Sequence, residues 1–250
     1  MEWTDEAIVL EWRRHGESAA VATLLTPTQG RHAGLVYGGA GAKARALFQP
    51  GNHLRVVWRG RLAEQLGSFT AEMVTPHAAL LMDDALRLDG LLSACAVAEG
   101  ALPEREPHPA AYAGLQALLT SMAAEAWPAI YVKLELGLLQ ELGFGLDLES
   151  CALTGERDGL AFVSPRTGRA VTAAAAKPYK GKLLPLPPFL LAGADLSAVP
   201  ADELKQGLAL TGHFLERHVF WPHNKTLPAV RTRFVDRLPG SATIYGNSIA

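Results

Sequence analysis

AAVATLLTPTQGRHAGLVYGGAGAKARALFQPGNHLRVVW, residues 19–58, breaks short apolar runs with turn residues at close intervals. Val21, Thr23 and Leu25 alternate with small residues, the period of a strand with one buried face. Pro27 to Gly30 reads as a turn, Gly34 to Tyr37 begins another strand, and Gly38 to Gly41 is a flexible loop. Pro50-Gly51-Asn52 then separates a strand-like Leu47 to Gln49 from Leu54 to Trp58. Upstream, Ala7 to Leu10 is a strand before the polar turn Arg13 to Glu17; downstream, Leu66 to Val74 is the last of the group. About five short strands in so few residues predict a small closed barrel, and the five-stranded OB-fold is the common soluble solution.

At Thr75-Pro76 the pattern changes to helix, with Thr75 as cap and Pro76 in the first turn. One helix is expected from Ala78 to Ala101, a connector from Leu102 to Pro109, and a second helix from Tyr112 to Ala126. Trp127-Pro128 opens a third, with Ile130, Leu134, Leu138 and Leu142 on one stripe; Gly143 and Gly145 end it. Gly155, Gly159, Gly168 and Pro165 then interrupt the helical pattern, and Leu160 to Val163 and Ala170 to Thr172 look like short strands. The Pro-rich loop LLPLPPF at 183–189 leads back to a helix from Pro200-Ala201-Asp202-Glu203 to about Phe220, then a short helix over Leu227 to Leu238. The fold class is therefore α+β: an OB barrel over 1–77 and a helical bundle over 78–145 and 183–238. A small insert over 146–182 interrupts the bundle, and a flexible tail occupies 239–250.

The net charge of -2 hides an uneven distribution. Residues 1–80 hold eight Lys and Arg against seven Asp and Glu, residues 81–160 four against thirteen, and residues 161–250 eleven against five. Separate surfaces for separate partners follow from such a split. Cys95 and Cys151 are too few for a disulfide framework or a four-cysteine zinc site. The acidic N-terminus is no signal peptide, and Asp83, Asp84 and Asp89 interrupt the best apolar run, so the expected setting is the cytoplasm without a membrane.

Catalytic motifs are not found. GGAGAK at 38–43 lacks the Gly-Lys-Ser/Thr of a phosphate loop. His213, His218 and His223 recur every five residues, about 140° apart on a helix, which does not aim two rings at one metal. No Gly-x-Ser-x-Gly elbow is present. The expectation is a non-enzyme without cofactor or metal. The distinctive feature is the run from Arg31 to Arg61. Arg31, Lys43, Arg45, Arg55, Arg59 and Arg61 stand there without one Asp or Glu, interleaved with Tyr37, Phe48 and Trp58. Phosphates need cations and unstacked bases need flat faces, so this composition suits a single-strand groove, although Phe48 and Trp58 could equally fill the barrel. A second basic cluster, Lys225, Arg231, Arg233 and Arg237, is opposed only by Asp236, and Lys177, Lys180 and Lys182 precede the Pro-rich loop.

Five blocks resemble the RecO family of bacterial DNA-repair and recombination mediators: AIVLEWRRHGE at 7–17, LLTPTQGRHAGLVYGGAG at 24–41, RALFQPGN at 45–52, LLQELGFGLDLESCALTG at 138–155 and LERHVFWPHNKTLPAVRTRF at 215–234. The resemblance implies an OB barrel, a helical domain and a small module inserted in it. It also implies binding of single- and double-stranded DNA, strand annealing, and work with RecR to load RecA onto DNA coated by single-strand-binding protein. RecA is then an indirect partner, at the nucleoid. The acidic C-terminal tail of the single-strand-binding protein would need local cations, for which Lys205 and Arg217 are candidates. Some members carry a four-cysteine zinc finger in the insert; here only Cys151 remains, with Thr154 where its partner would stand, so the module reads as a zinc-finger-like relic without metal. The DNA-contacting residues expected are Arg31, Lys43, Arg45, Arg55, Arg59, Arg61, Lys225, Arg231 and Arg233. The alternative is a protein-interaction adaptor whose barrel and bundle dock partners and touch DNA only incidentally.

Overall fold

In the computed structural model, which describes residues 1–62 and 64–239, the chain begins with one long strand that serves two partners. The first half of β1 (Glu2–His15) pairs antiparallel with β4 (His53–Arg59), and its second half pairs with β2 (Ala19–Thr26). An irregularity between Val9 and Glu11 bends the strand where it changes neighbours. β3 (Gly30–Val36) follows β2, and β5 (Ser68–Thr75) follows β4. A parallel contact of Leu35 with Ser68 closes the ring in the order β1-β2-β3-β5-β4. This is the predicted OB-type barrel, with no open edge left to recruit a foreign strand.

Strict alternation places Leu54, Val56 and Trp58 inward and Arg55 and Arg59 outward along β4. The core gathers Val9, Leu24, Val36, Phe48, Val56, Trp58 and Phe69 with smaller residues. Phe48 and Trp58 are thus fillers of the barrel, whereas Tyr37 is 76% exposed. Gly67 has a φ of +60° and lies so close to the Trp58 indole that a Cβ would stand 2.3 Å from Nε1. Only glycine allows that wall to approach the ring.

The strand-like reading of Leu47 to Gln49 is corrected. Ala42–Leu47 forms α1, a six-residue helix between β3 and β4. Ala and Lys favour helix locally, and the turn sets Leu47 and Phe48 against the barrel core. The single helix expected from Ala78 is also two, α2 (His77–Leu80) and α3 (Ala85–Ala101). Asp84 divides them: its carboxylate accepts from the amides of Leu86 at 3.1 Å and Arg87 at 3.0 Å and so begins a new helix. Thr75 is no cap, since Pro76 takes that position without a side-chain hydrogen bond. α4 spans Pro109–Ser121, earlier than expected, and α5 spans Trp127–Glu141 as the Trp-Pro start predicts.

The insert contains β6 (Leu160–Val163) and β7 (Ala170–Thr172) as predicted. β8 (Leu184–Pro185), inside the stretch expected as a Pro-rich loop, joins them in the order β7-β6-β8. Pro185 is tolerated there because β8 is an edge strand. The helix after Pro200 is α6 (Ala201–Phe214); it passes into a π-helical turn over Leu215–Phe220 and a 3-10 turn over Trp221–His223. α7 spans Ala229–Arg237. The expected tail lies, from Gly240 onward, outside the described residues. The chain forms two compact units, the barrel with α2 to α4 in Met1–Thr120, and α5, the small sheet, α6 and α7 in the remainder. Among the described residues no helix is long and apolar enough to cross a membrane.

Candidate nucleic-acid interface

The cations of the Arg31 to Arg61 run do not share one fate. Arg31 is half-buried; its Nε donates to the Leu102 carbonyl at 2.7 Å and its Nη1 meets Glu99 at 3.0 Å and Glu104 at 3.6 Å. It pins β3 to the segment that follows α3, and its guanidinium donors are engaged there. Arg59 grips Glu2 with both arms, at 2.9 and 3.1 Å, and Arg55 meets Glu6 at 3.3 Å. The Arg59 hydrogen bond holds the Glu2 carboxyl below its usual range, and Glu2 in turn raises Arg59. The run lacks acids in sequence, but the β1–β4 ladder sets Glu2 and Glu6 directly opposite Arg59 and Arg55.

Lys43, Arg45 and Arg61 are exposed and make no ion pair among the described residues. Arg45 lies over the Trp12 ring, 5.9 Å from its centroid, which fixes α1 against the second half of β1. The Ala40 amide donates to the Ser18 carbonyl at 3.1 Å, so the loop ahead of α1 docks on the β1–β2 turn. His15 pairs with Ala19, and Ala20 with Val36, which brings Tyr37 to the same end of the barrel. The β4–β5 loop joins them, because the Leu35 amide donates to the Gly67 carbonyl at 3.0 Å. Arg13, Tyr37, Lys43, Arg45 and Arg61 therefore surround one rim of the barrel, with the exposed Glu11 and Glu17 as local acids. Arg13 is a member the sequence reading missed. Its signal was WRRHGE itself: Trp12 faces the core, so Arg13 must face outward, whereas Arg14 is spent on the carbonyls of Gly16 and Glu17. The rim is equipped to hold a polyanion while an exposed ring offers a flat face.

Behind this rim His32 is boxed by Trp3, Trp58 and Phe69 with ring centroids 5.3, 5.2 and 6.1 Å away. Burial first, and the Arg105 charge second, push its pKa down to about 4, and neither ring nitrogen has a hydrogen-bond partner. It is a neutral wall residue, not a phosphate ligand. His53 is turned the other way, to Glu6 at 2.7 Å and the Tyr112 hydroxyl at 3.3 Å.

In the second unit the expectation for Arg231 is corrected. The residue is 4% exposed, and its Nε and Nη2 reach Glu135 at 2.6 and 2.8 Å, with the Leu208 carbonyl at 2.8 Å. Glu135 also accepts from the hydroxyls of Tyr131 and Thr211. Gly212 makes room for the guanidinium, since a Cβ would lie 3.0 Å from Nη1. Arg231 is a core residue. Lys225, after the left-handed Asn224, and Arg233 on α7 are exposed. Lys205 on the first turns of α6 and Arg217 in the π-helical turn are twelve positions apart, about 18 Å along a helix axis, and do not form one pocket.

The insert keeps the knuckle of its relatives without their donor set. The Cys151 amide donates to the Glu156 carbonyl at 2.7 Å and the Gly155 amide returns to the Cys151 carbonyl at 2.9 Å. The Thr172 amide reaches Cys151 Sγ at 3.4 Å, tying the turn to β7. Burial opposes the thiolate, yet hydrogen bonds from Thr154 and nearby amides outweigh it and bring Cys151 to about 6. One thiol beside a threonine does not make the four-donor set of a structural zinc site. No group of three or more possible metal ligands occurs among the described residues.

Comparison with known proteins agrees with this architecture. Residues 1–77 match the model for the recombination protein O N terminal domain, and residues 82–227 that for the recombination protein O C terminal domain. The chain is 54% identical over 248 residues to a DNA repair protein RecO of Rhodospirillum centenum, covering 98% of each chain. It is 51% identical over 239 residues to those of Phenylobacterium zucineum and Caulobacter vibrioides strain NA1000, covering 95% of this chain and 98% of each relative. The chain therefore belongs to the RecO family of DNA repair proteins.

Proposed function

We propose that the chain is a non-enzymatic, DNA-binding recombination mediator that binds single and double strands, anneals complementary ones and, with RecR, helps RecA onto DNA coated by single-strand-binding protein. The observation that carries this reading is the rim of Arg13, Lys43, Arg45 and Arg61 around the exposed Tyr37. Annealing requires that two phosphate backbones be neutralised side by side, and cations on a rigid barrel supply that without a reacting group. Family membership supports the partners: RecR, the single-strand-binding-protein tail and, through them, RecA at the nucleoid. Lys225 and Arg233 are candidates to extend the cationic track, and Lys205 and Arg217 are separate candidates for partner contact.

Titration of single-stranded DNA with the isolated chain at several salt concentrations tests the reading. The K43E/R45E variant should bind several-fold more weakly and lose about 1.4 from the slope of log affinity against log salt, at roughly 0.7 per phosphate contact. Both side chains are exposed, so its melting temperature should match the parent's. Unchanged affinity and slope would remove the rim from the interface. The adaptor alternative draws on the exposed Met73, Val74, Leu80 and Met82 near the end of the barrel. It predicts no retention of DNA by the isolated chain even at low salt.

A further inference from the structure

The second unit contains a cavity of about 360 Å³ in the insert, unrelated to the barrel rim. Phe162 of β6, Ala176 and Leu183 line it, Tyr179 flanks it, and Lys177 and Lys180 stand among its walls. No acidic side chain is among its lining residues. Both lysines are exposed without an ion pair among the described residues, and Tyr179 is 43% exposed. The wall is built by successive tight turns. The Ala176 amide donates to the Thr172 carbonyl at 3.0 Å, Tyr179 to Ala176 at 2.8 Å, and Lys182 to Tyr179 at 2.9 Å. Phe162 is held from both sides by its pairing with Val171 and Pro185. An apolar hollow with an aromatic wall and cations at its edge is thus preformed on a small sheet.

We infer that this cavity takes one unpaired nucleobase of a DNA strand, with the flanking phosphates on Lys177 and Lys180. The volume is at the small end of ligand sites, enough for a flat ring and too little for several residues of a peptide. Stacking on Tyr179 and Phe162 is indifferent to base identity, because every base has a π-face. Lysines act as point charges that suit phosphate oxygens, whereas a peptide carboxylate is better matched by the two-pronged guanidinium, and no arginine lines the cavity. A duplex keeps its bases stacked inside, so the hollow selects single strands. The insert becomes a second strand-holding site apart from the barrel. The inference rests on the proposal that the chain binds DNA.

The test irradiates the full chain with an oligothymidylate carrying one 5-iododeoxyuridine and maps the crosslinked peptides. Crosslinks are expected at Tyr179 or Phe162. They should fall at least about fivefold in A173W, which fills the hollow from an exposed lining position, in line with the worth of one stacked base. K177Q/K180Q, changed only at exposed positions, should lower the salt slope by about 1.4 and retain the preference for oligothymidylate over an abasic strand of equal length. Binding of DNA with crosslinks confined to barrel peptides, or crosslinks at Tyr179 unchanged by A173W, overturns the cavity's role alone. Failure of the wild-type chain to retain any DNA overturns the reading beneath it. Protection of Lys177 and Lys180 from acetylation by an oligo-aspartate peptide ending in phenylalanine, and not by the oligonucleotide, assigns the hollow to a protein tail and overturns the proposal.

Discussion

His32 and Arg231 show two ways of burying a polar side chain. His32 has no partner for either nitrogen and is held neutral, with a pKa of about 4 in the folded chain against 6.5 in an unfolded one. As pH falls, the unfolded chain takes up the proton first. The barrel therefore has its full stability above pH 6.5 and loses it progressively towards pH 4, by about 3 kcal/mol at 1.36 kcal/mol per pKa unit. Denaturant titrations across that range should show this loss in the parent and a smaller one in His32→Phe; equal losses would place the acid sensitivity elsewhere. Arg231 instead keeps its charge through Glu135, the Leu208 carbonyl and the Thr211 hydroxyl. Removing one partner leaves the other charge buried, so Arg231→Met should cost about 3–5 kcal/mol in an unfolding titration. The double change with Glu135→Leu should recover much of that loss, because no uncompensated charge remains.

At the scale of elements, α1 depends on one residue beyond its ends. It has no side-chain cap and buries no residue fully, yet Asn52 donates to the carbonyls of Ala46 at 3.0 Å and Leu47 at 3.1 Å. The same side chain accepts from the Ala78 amide at 3.2 Å, at the start of α2. Asn52→Ala orphans three backbone groups around a buried position, each worth about 1–3 kcal/mol, so a loss of about 3 kcal/mol or more is expected on unfolding. Because α1 carries Lys43 and Arg45, the variant should also bind DNA more weakly at temperatures where it remains folded. A variant as stable as the parent would show that α1 is held by its packing on Trp12 alone. The residues 45–52 read as a turn after a strand; Asn52 acts instead as a bracket for two helices, a role that no local periodicity signals.

At the scale of the whole molecule, the number of cations matters less than their partners. Arg55 and Arg59 are already compensated by Glu6 and Glu2, so R55Q/R59Q should leave the salt dependence of single-strand binding nearly unchanged, in contrast to K43E/R45E. A fall as large as that of the α1 variant would mean that DNA displaces the glutamates and that the β1–β4 face joins the interface.

The barrel, the helical domain, the insert and their order were legible because each rests on short-range signals: period-two alternation, turn residues, Ala- and Leu-rich runs and glycine stops. Helix limits were less so, since Asp84 starts a helix inside an apolar run and Leu215–Phe220 changes the winding without a break in pattern. Tertiary structure alone decided which charges are available. Arg31 is taken by Glu99, Arg59 by Glu2 and Arg231 by Glu135, acids separated from them by 68, 57 and 96 positions. A run of cations without acids in sequence is not a run without acids in space, because ladder pairing and helix packing bring distant residues within a few ångströms. Sequence by itself determined that this chain folds as a barrel followed by helices and resembles the mediators; only the closed barrel determined that Arg13, Lys43, Arg45 and Arg61 are the charges left facing solvent around Tyr37.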